Sequence, residues 1–178
     1  TCATAQIVPT VGAPPVPVAR PDTDTTLYDT NKTINPLTSD TANANFPLDP
    51  TSVKLCGAGQ TPGGTPDCDK TTLEVFGEGT YTVNPVTGEV TFNPLPTFYG
   101  TVATPVKYQA QDSLGQFENS TITPTVAQPP MASATNDVSS DNYDTNQLIR
   151  PLDNDSSGSN EQTLLPDTVK LCNPASTP

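Results

Sequence analysis

The sequence predicts an all-β protein made of tandem immunoglobulin-like β-sandwich repeats. Three observations lead there. Twenty-one prolines are scattered along 178 residues, and a proline inside a helix removes a hydrogen bond and clashes with the preceding turn. No stretch sustains an apolar period of 3.6 residues, while Thr and Val, which suit a pleated half-buried surface, are abundant. The chain also repeats itself.

Shifted by 115 residues, the sequence finds a second copy of part of itself. Ile7, Pro9, Thr10 and Val11 fall on Ile122, Pro124, Thr125 and Val126, and Pro14 and Pro15 fall on Pro129 and Pro130. Asp22 falls on Asp137, and the run Tyr28-Asp29-Thr30-Asn31 returns as Tyr143-Asp144-Thr145-Asn146. Ile34, Pro36, Leu37 and Asp40 return as Ile149, Pro151, Leu152 and Asp155. After one inserted residue, Pro50, Val53, Lys54, Leu55 and Cys56 match Pro166, Val169, Lys170, Leu171 and Cys172. The phase makes residues 1–16 the last strand and linker of a preceding repeat, 17–131 one complete repeat, and 132–178 the first part of the next. The parent protein is therefore expected to extend in both directions.

Within the complete repeat, strands are expected near Val53–Leu55, Thr71–Phe76, Thr80–Val83, Glu89–Phe92, Thr101–Gln111 and Phe117–Val126, with a shorter one around Ile34. About seven short strands in roughly 100 residues is the pattern of an immunoglobulin-like sandwich. Two hairpins are readable. Gly88 supplies the positive φ of the turn Asn84-Pro85-Val86-Thr87-Gly88-Glu89, and Gly115 does so in Asp112-Ser113-Leu114-Gly115. Tyr81, Val83, Val90 and Phe92 alternate as one inward face. Pro105 and Pro124 interrupt strands and are expected at edges or bulges, since proline donates nothing to a ladder.

Charge narrows the function. The formal net charge is −12, with seven Lys plus Arg dispersed along the chain. Nucleic-acid binding needs basic clusters, and an anionic membrane surface repels such a chain, so neither partner is expected. There is no His, which removes Ser–His, Cys–His and His-ligated metal chemistry. Paired carboxylates alone can run a glycosidase, but no catalytic constellation is visible, and the reading is a non-enzyme. No apolar run is long enough to span a bilayer as a helix. The chain opens at Thr1 without a leader, as expected of an internal or mature segment.

Several stretches together resemble the CshA-type fibril repeat of bacterial surface adhesins. They are Gly88-Glu89-Val90-Thr91-Phe92-Asn93-Pro94, Phe98-Tyr99-Gly100-Thr101, Thr104-Pro105-Val106-Lys107-Tyr108, Asp112-Ser113-Leu114-Gly115-Gln116 and Thr121-Ile122-Thr123-Pro124-Thr125-Val126. The resemblance covers most of residues 22–126 and the partial copies beside them. It implies a secreted fibrillar protein of Gram-positive bacteria, extracellular and held at the cell wall. The repeats would form a shaft, and binding to a host or partner cell would reside largely in a separate region. The cysteine-bearing loop is a departure from what the family requires.

In that extracellular setting, Cys56 and Cys68 are expected to form a structural disulfide across a loop rich in Gly and Pro, including Pro66. A metal site or reactive thiol is the other reading, and two cysteines without His make a poor zinc site. Cys172 repeats Cys56, so its partner is expected beyond Pro178. Phe117 stands where the preceding copy has Cys2, whose partner is expected in that copy. Asp22, Asp24, Asp40, Asp112 and Asp155 sit at strand ends and linkers. Calcium binds such hard oxygens at repeat junctions, but turn chemistry explains the same aspartates, and no EF-hand spacing is present. No cofactor is assigned. The segment Ala13-Pro14-Pro15-Val16-Pro17-Val18-Ala19-Arg20-Pro21 reads as a stiff spacer rather than a polyproline ligand, because Pro17 and Pro21 become Ala132 and Asn136 in the next copy. Asn31, Asn119 and Asn154 open glycosylation triplets that a Thr- and Asn-rich chain produces by chance. No lysine is selected for an isopeptide bond.

The expected function is thus a structural repeat of a surface fibril, with neighbouring repeats, and self-association into a fibril, as the expected contacts. The alternative is a module that itself binds a host protein or glycan. An exposed aromatic patch would favour the second reading; core, turn and linker identities between copies favour the first.

Overall fold

The structure, a computed structural model, describes residues 1–65, 67–158 and 162–172. Pro66 and the expected partner of Cys172 lie outside the described residues, as do 159–161 and 173–178.

Nine strands form two sheets among the described residues. They are β1 Asp22–Thr26, β2 Lys32–Ile34, β3 Leu48–Leu55, β4 Thr72–Val75, β5 Gly79–Val83, β6 Val90–Pro94, β7 Gly100–Thr101, β8 Val106–Asp112 and β9 Phe117–Val126. One sheet runs β1-β9-β8-β3, with β7 also on β9; the other runs β2-β6-β5-β4. All pairings are antiparallel except β1 with β9, which is parallel.

Alternation builds the core. Tyr81, Val83, Val90 and Phe92 turn inward from β5 and β6, and are buried. They meet Val53, Leu55, Val106, Tyr108, Ala110, Ile122 and Val126 of the other sheet. Tyr81 and Phe92 are cross-strand partners with ring centroids 4.6 Å apart, and Phe98 sets its ring edge-on to Phe92 at 6.3 Å. Aromatic pairs in these arrangements add to the stabilisation from burial.

The two turns form as their residues dictate. Asn84 accepts from the backbone N–H of Val86 and Thr87, and Gly88 takes φ +71°. A Cβ on Gly88 would also stand 2.7 Å from the Pro50 carbonyl oxygen, so this glycine is required by both backbone and space. In the second turn Asp112 accepts from Leu114 and Gln116 N–H, and Gly115 has φ +77°.

Four features differ from the sequence reading. β1 was not expected: its inward positions are Asp22 and Thr26 rather than apolar side chains, and it joins the sheet through its backbone. β3 starts at Leu48, five residues before Val53, and its register shifts between Asp49 and Lys54. Thr101–Gln111 is not one strand, because Pro105 falls in the gap between β7 and β8. Pro124 is inside β9, an interior strand, where an edge or bulge was expected. It sits where β9 changes partner from β8 to β7. Its carbonyl accepts from Val102 N–H, so its missing donor faces that discontinuity, and the ladder loses no bond to β1.

The repeat is visible in local geometry as well as in sequence. Val18 bridges Thr41, and Ser133 bridges Ser156. Arg20 N–H donates to Asp40 Oδ1 at 2.7 Å, and Thr135 N–H donates to Asp155 Oδ1 at 2.7 Å. Asp29 and Asp144 both take positive φ, 51° and 57°. Each pair is separated by 115 residues, the offset of the sequence repeat. Only one sandwich is complete among the described residues, however, and residues 1–16 are exposed and carry no strand. Hydrogen exchange should therefore be fast at 1–16 and across 136–148 in the isolated chain, while β5, β6, β8 and β9 stay protected. Uniform protection would contradict this division.

Candidate functional site

The chemistry-bearing residues gather at the ends of the sandwich and under the cysteine loop. Asp22 of β1 stands opposite Ile122 of β9, and Thr26 stands opposite Val126. Because these neighbours run parallel, the chain comes in at one end of the sheet and leaves at the other. Both passages are tied down. Incoming, Val18 exchanges two backbone hydrogen bonds with Thr41 (2.8 and 3.0 Å), Arg20 N–H reaches Asp40, and Gln116 Nε2 donates to the Pro15 carbonyl at 3.4 Å. Pro17 is buried. Outgoing, Ala127 N–H donates to the Thr26 carbonyl at 2.8 Å. The Pro-rich segment is docked against the sandwich rather than standing free.

An acidic cluster lies at the incoming end. Asp22, Asp40 and Asp112, three of the aspartates singled out in the sequence, come together with Glu118 of β9. Asp24 does not join them; it pairs with Lys32 at 2.9 Å. Asp155 belongs to the second copy of the Arg20–Asp40 motif. Sequence reasoning missed Glu118. It could have been found by counting back in twos from the core residues Val126 and Ile122, since β9 alternates and Glu118 falls on the same face.

The donors available to this cluster are few. Tyr108 Oη donates to Asp40 Oδ2 at 2.8 Å, Ser39 Oγ donates to Asp22 Oδ1 at 3.1 Å, and Asp112 is occupied by its own turn and by Gln116 Nε2. Asp22 Oδ2 and both carboxyl oxygens of Glu118 are buried without a partner. Burial, then the nearby Asp40, Asp112 and Asp22, pushes Glu118 up to about 8. Burial raises Asp22 to about 6 against the opposing hydrogen bonds of Ser39 and Tyr108. Burial also pushes the Tyr108 hydroxyl up, further raised by Asp40.

The structure joins Cys56 to Cys68 through an S–S bond of 2.07 Å. Residues on either side of the loop, Leu55 and Lys70, exchange backbone hydrogen bonds at 2.8 and 3.1 Å. The loop is pinned to β8 from inside: Gln109, buried on the outer face of its strand, donates to Asp67 Oδ2 and the Cys68 carbonyl and accepts from Gly63 N–H. Gln109, first among several donors, holds the half-buried Asp67 carboxyl below the usual range. Cys2 and Cys172 are exposed free thiols.

A groove runs between the edge strand β4 and the start of β8, lined by Leu73, Val75, Pro105 and Val106, with Gly57 and Gln60 of the cysteine loop at its rim. Phe76 beside it is 99% exposed.

The family model for the repetitive domain of the surface adhesin CshA matches residues 14–126. The chain belongs to the CshA repeat family. The matched span begins in the docked Pro-rich segment and ends with the last residue of β9, so it takes in the sandwich together with its incoming connector. No curated protein matches the chain. As a CshA repeat, the chain is a repeat unit of the surface-adhesin type, which fits an extracellular or cell-surface location.

Proposed function

We propose that this CshA repeat is a segment of a bacterial fibril shaft, in which immunoglobulin-like sandwiches follow one another end to end and hold a functional region away from the cell wall. One observation supports this most strongly: the parallel pairing of β1 with β9, which sends the chain in at one end and out at the other. Both passages are tied to the sandwich, so one repeat hands its direction to the next. The ten residues of β9 span about 33 Å at 3.3 Å per residue, and a few extended connector residues bring the axial step to roughly 35–45 Å. The net charge of −12 disfavours side-to-side collapse at low salt. This role uses neighbouring repeats as partners and assigns no catalytic group and no cofactor. Proteins of two, three and four repeats should gain roughly 40 Å of maximum dimension per repeat in small-angle scattering. A radius of gyration that barely grows with repeat number would sink the shaft reading.

A second reading has its own observation. The groove beside the exposed Phe76 is the kind of apolar feature with which a module binds a host protein or glycan. If it binds, Phe76→Ser should weaken adhesion of a surface displaying these repeats, while leaving the scattering profile unchanged.

A further inference from the structure

The acidic cluster at the incoming end presents an electrostatic problem. Glu118 is 3% exposed, and neither of its carboxyl oxygens has a partner. It is faced by Asp22 from β1, Asp40 from the turn after β2 and Asp112 from β8, while the nearby hydroxyls are spent on those aspartates, Ser39 on Asp22 and Tyr108 on Asp40. The two ion pairs among the described residues, Lys32–Asp24 and Lys70–Asp69, do not involve these groups. An ionised carboxylate left here would be buried among acceptors with no donor, an arrangement that proteins avoid by neutralising the group. A cation or a proton can do this. Among the described residues no three carboxylates have the arrangement a metal ion needs, whereas a shared proton needs only two.

We propose that Glu118 keeps its proton at neutral pH and shares it with Asp40, and that this proton helps hold the incoming connector on the sandwich. Asp40 is the link between the two. Its Oδ1 accepts from the backbone N–H of Arg20 in the connector, and its Oδ2 accepts from Tyr108. A neutral Glu118 supplies the donor that the cluster lacks. When that proton is lost, like charges stand together under the connector, and the Asp40–Arg20 anchor is the bond best placed to yield.

The pH window follows from the direction of the shift. Glu118 is raised in the folded state from 4.5 to about 8. Its contribution to stability is therefore whole below about 4.5 and declines as pH rises to about 8, because the unfolded chain releases the proton first. Asp22 acts with the same sign, but only between 3.8 and about 6. Between pH 6 and 8 the slope belongs to Glu118, and the chain has no His to titrate there.

Thermal unfolding of the chain across pH 5 to 8.5 tests this, with Glu118→Gln beside the wild type. The wild-type Tm should fall by several degrees from pH 6 to 8. The variant, neutral at every pH and still able to donate to Asp40, should be flat over that window and at least as stable at pH 8. Should the variant not fold, the Glu118 carboxyl carbon can be followed by NMR in the wild type. A midpoint near 8, with the Arg20 amide losing protection over the same range, is the expected result. A carboxyl titrating in the ordinary range near 4, or a variant that keeps the wild-type slope, would overturn the proposal. So would a wild-type Tm at pH 7.5 that rises with millimolar calcium while the variant's does not, because the cluster would then hold a cation.

Discussion

Replacing Cys56 and Cys68 together with serine is expected to cost about 3 kcal/mol of stability, the chain-entropy value for a loop of this size. For a domain near 100 residues that lowers Tm by roughly 10–20 °C. The loop holds Gly57, Gly59, Gly63 and Gly64 within its 12-residue span, so its unfolded form is loose and the crosslink removes many conformations. Folded-state effects add to this. The Cys68 carbonyl and Asp67 are the acceptors that hold buried Gln109, and a drifting loop would leave that amide short of partners. Thermal melts of the oxidised wild type and the double variant measure the effect. A difference under 1 kcal/mol would mean that the β3–β8 ladder and the Leu55–Lys70 bridge hold the loop without the bond. Peptide mapping without reduction should recover Cys56 linked to Cys68, and Cys2 and Cys172 unlinked to each other within one chain.

Phe92→Ala should cost roughly 3–5 kcal/mol, the usual loss for an aromatic removed from a packed core. The ring is 1% exposed and lies between Tyr81 and Phe98, at 4.6 and 6.3 Å. Its removal opens a cavity bounded by two other rings that are already fixed by their strands. Against a typical total of about 5–15 kcal/mol, the variant should sit close to unfolding at body temperature. Phe76→Ala is the control. That ring is 99% exposed, and its loss should change stability by no more than about 0.5 kcal/mol. Urea denaturation of both variants gives the comparison. Equal effects would mean that the alternation of β5 and β6 does not define the core.

The pair Phe76 and Phe92 also shows what could be read from the sequence. Where strands alternate apolar and polar side chains, as in Tyr81-Thr82-Val83 and Val90-Thr91-Phe92, both the strands and their inward face were legible, because burial of one face dictates the pattern. Turns were legible where a residue type is needed for a backbone angle, as at Gly88 and Gly115. β1 was not legible. Asp-Thr-Asp-Thr-Thr has no apolar face, and its place in the sheet depends on a parallel partner 100 residues away. The acidic cluster was half legible. Asp22, Asp40 and Asp112 stood out at strand ends, but only the folded chain brings them to Glu118, a charged residue on a face that alternation assigns to the core. A ladder's need for donors argues for Pro124 at an edge or bulge; the strand instead tolerates it by changing partners at that point.

The parallel pairing of β1 and β9 has a mechanical consequence. A pull through the two connectors loads the Val18–Thr41 and Ala127–Thr26 ties and, with them, Asp22 and Val126 at opposite ends of adjacent strands. Force then runs along the hydrogen-bonded ladder, and the bonds from Asp22–Ile122 to Thr26–Val126 carry it together in shear rather than opening one after another like a zipper. A domain loaded in this way resists stretching with its whole terminal ladder at once, a property that the proposed shaft role would draw on.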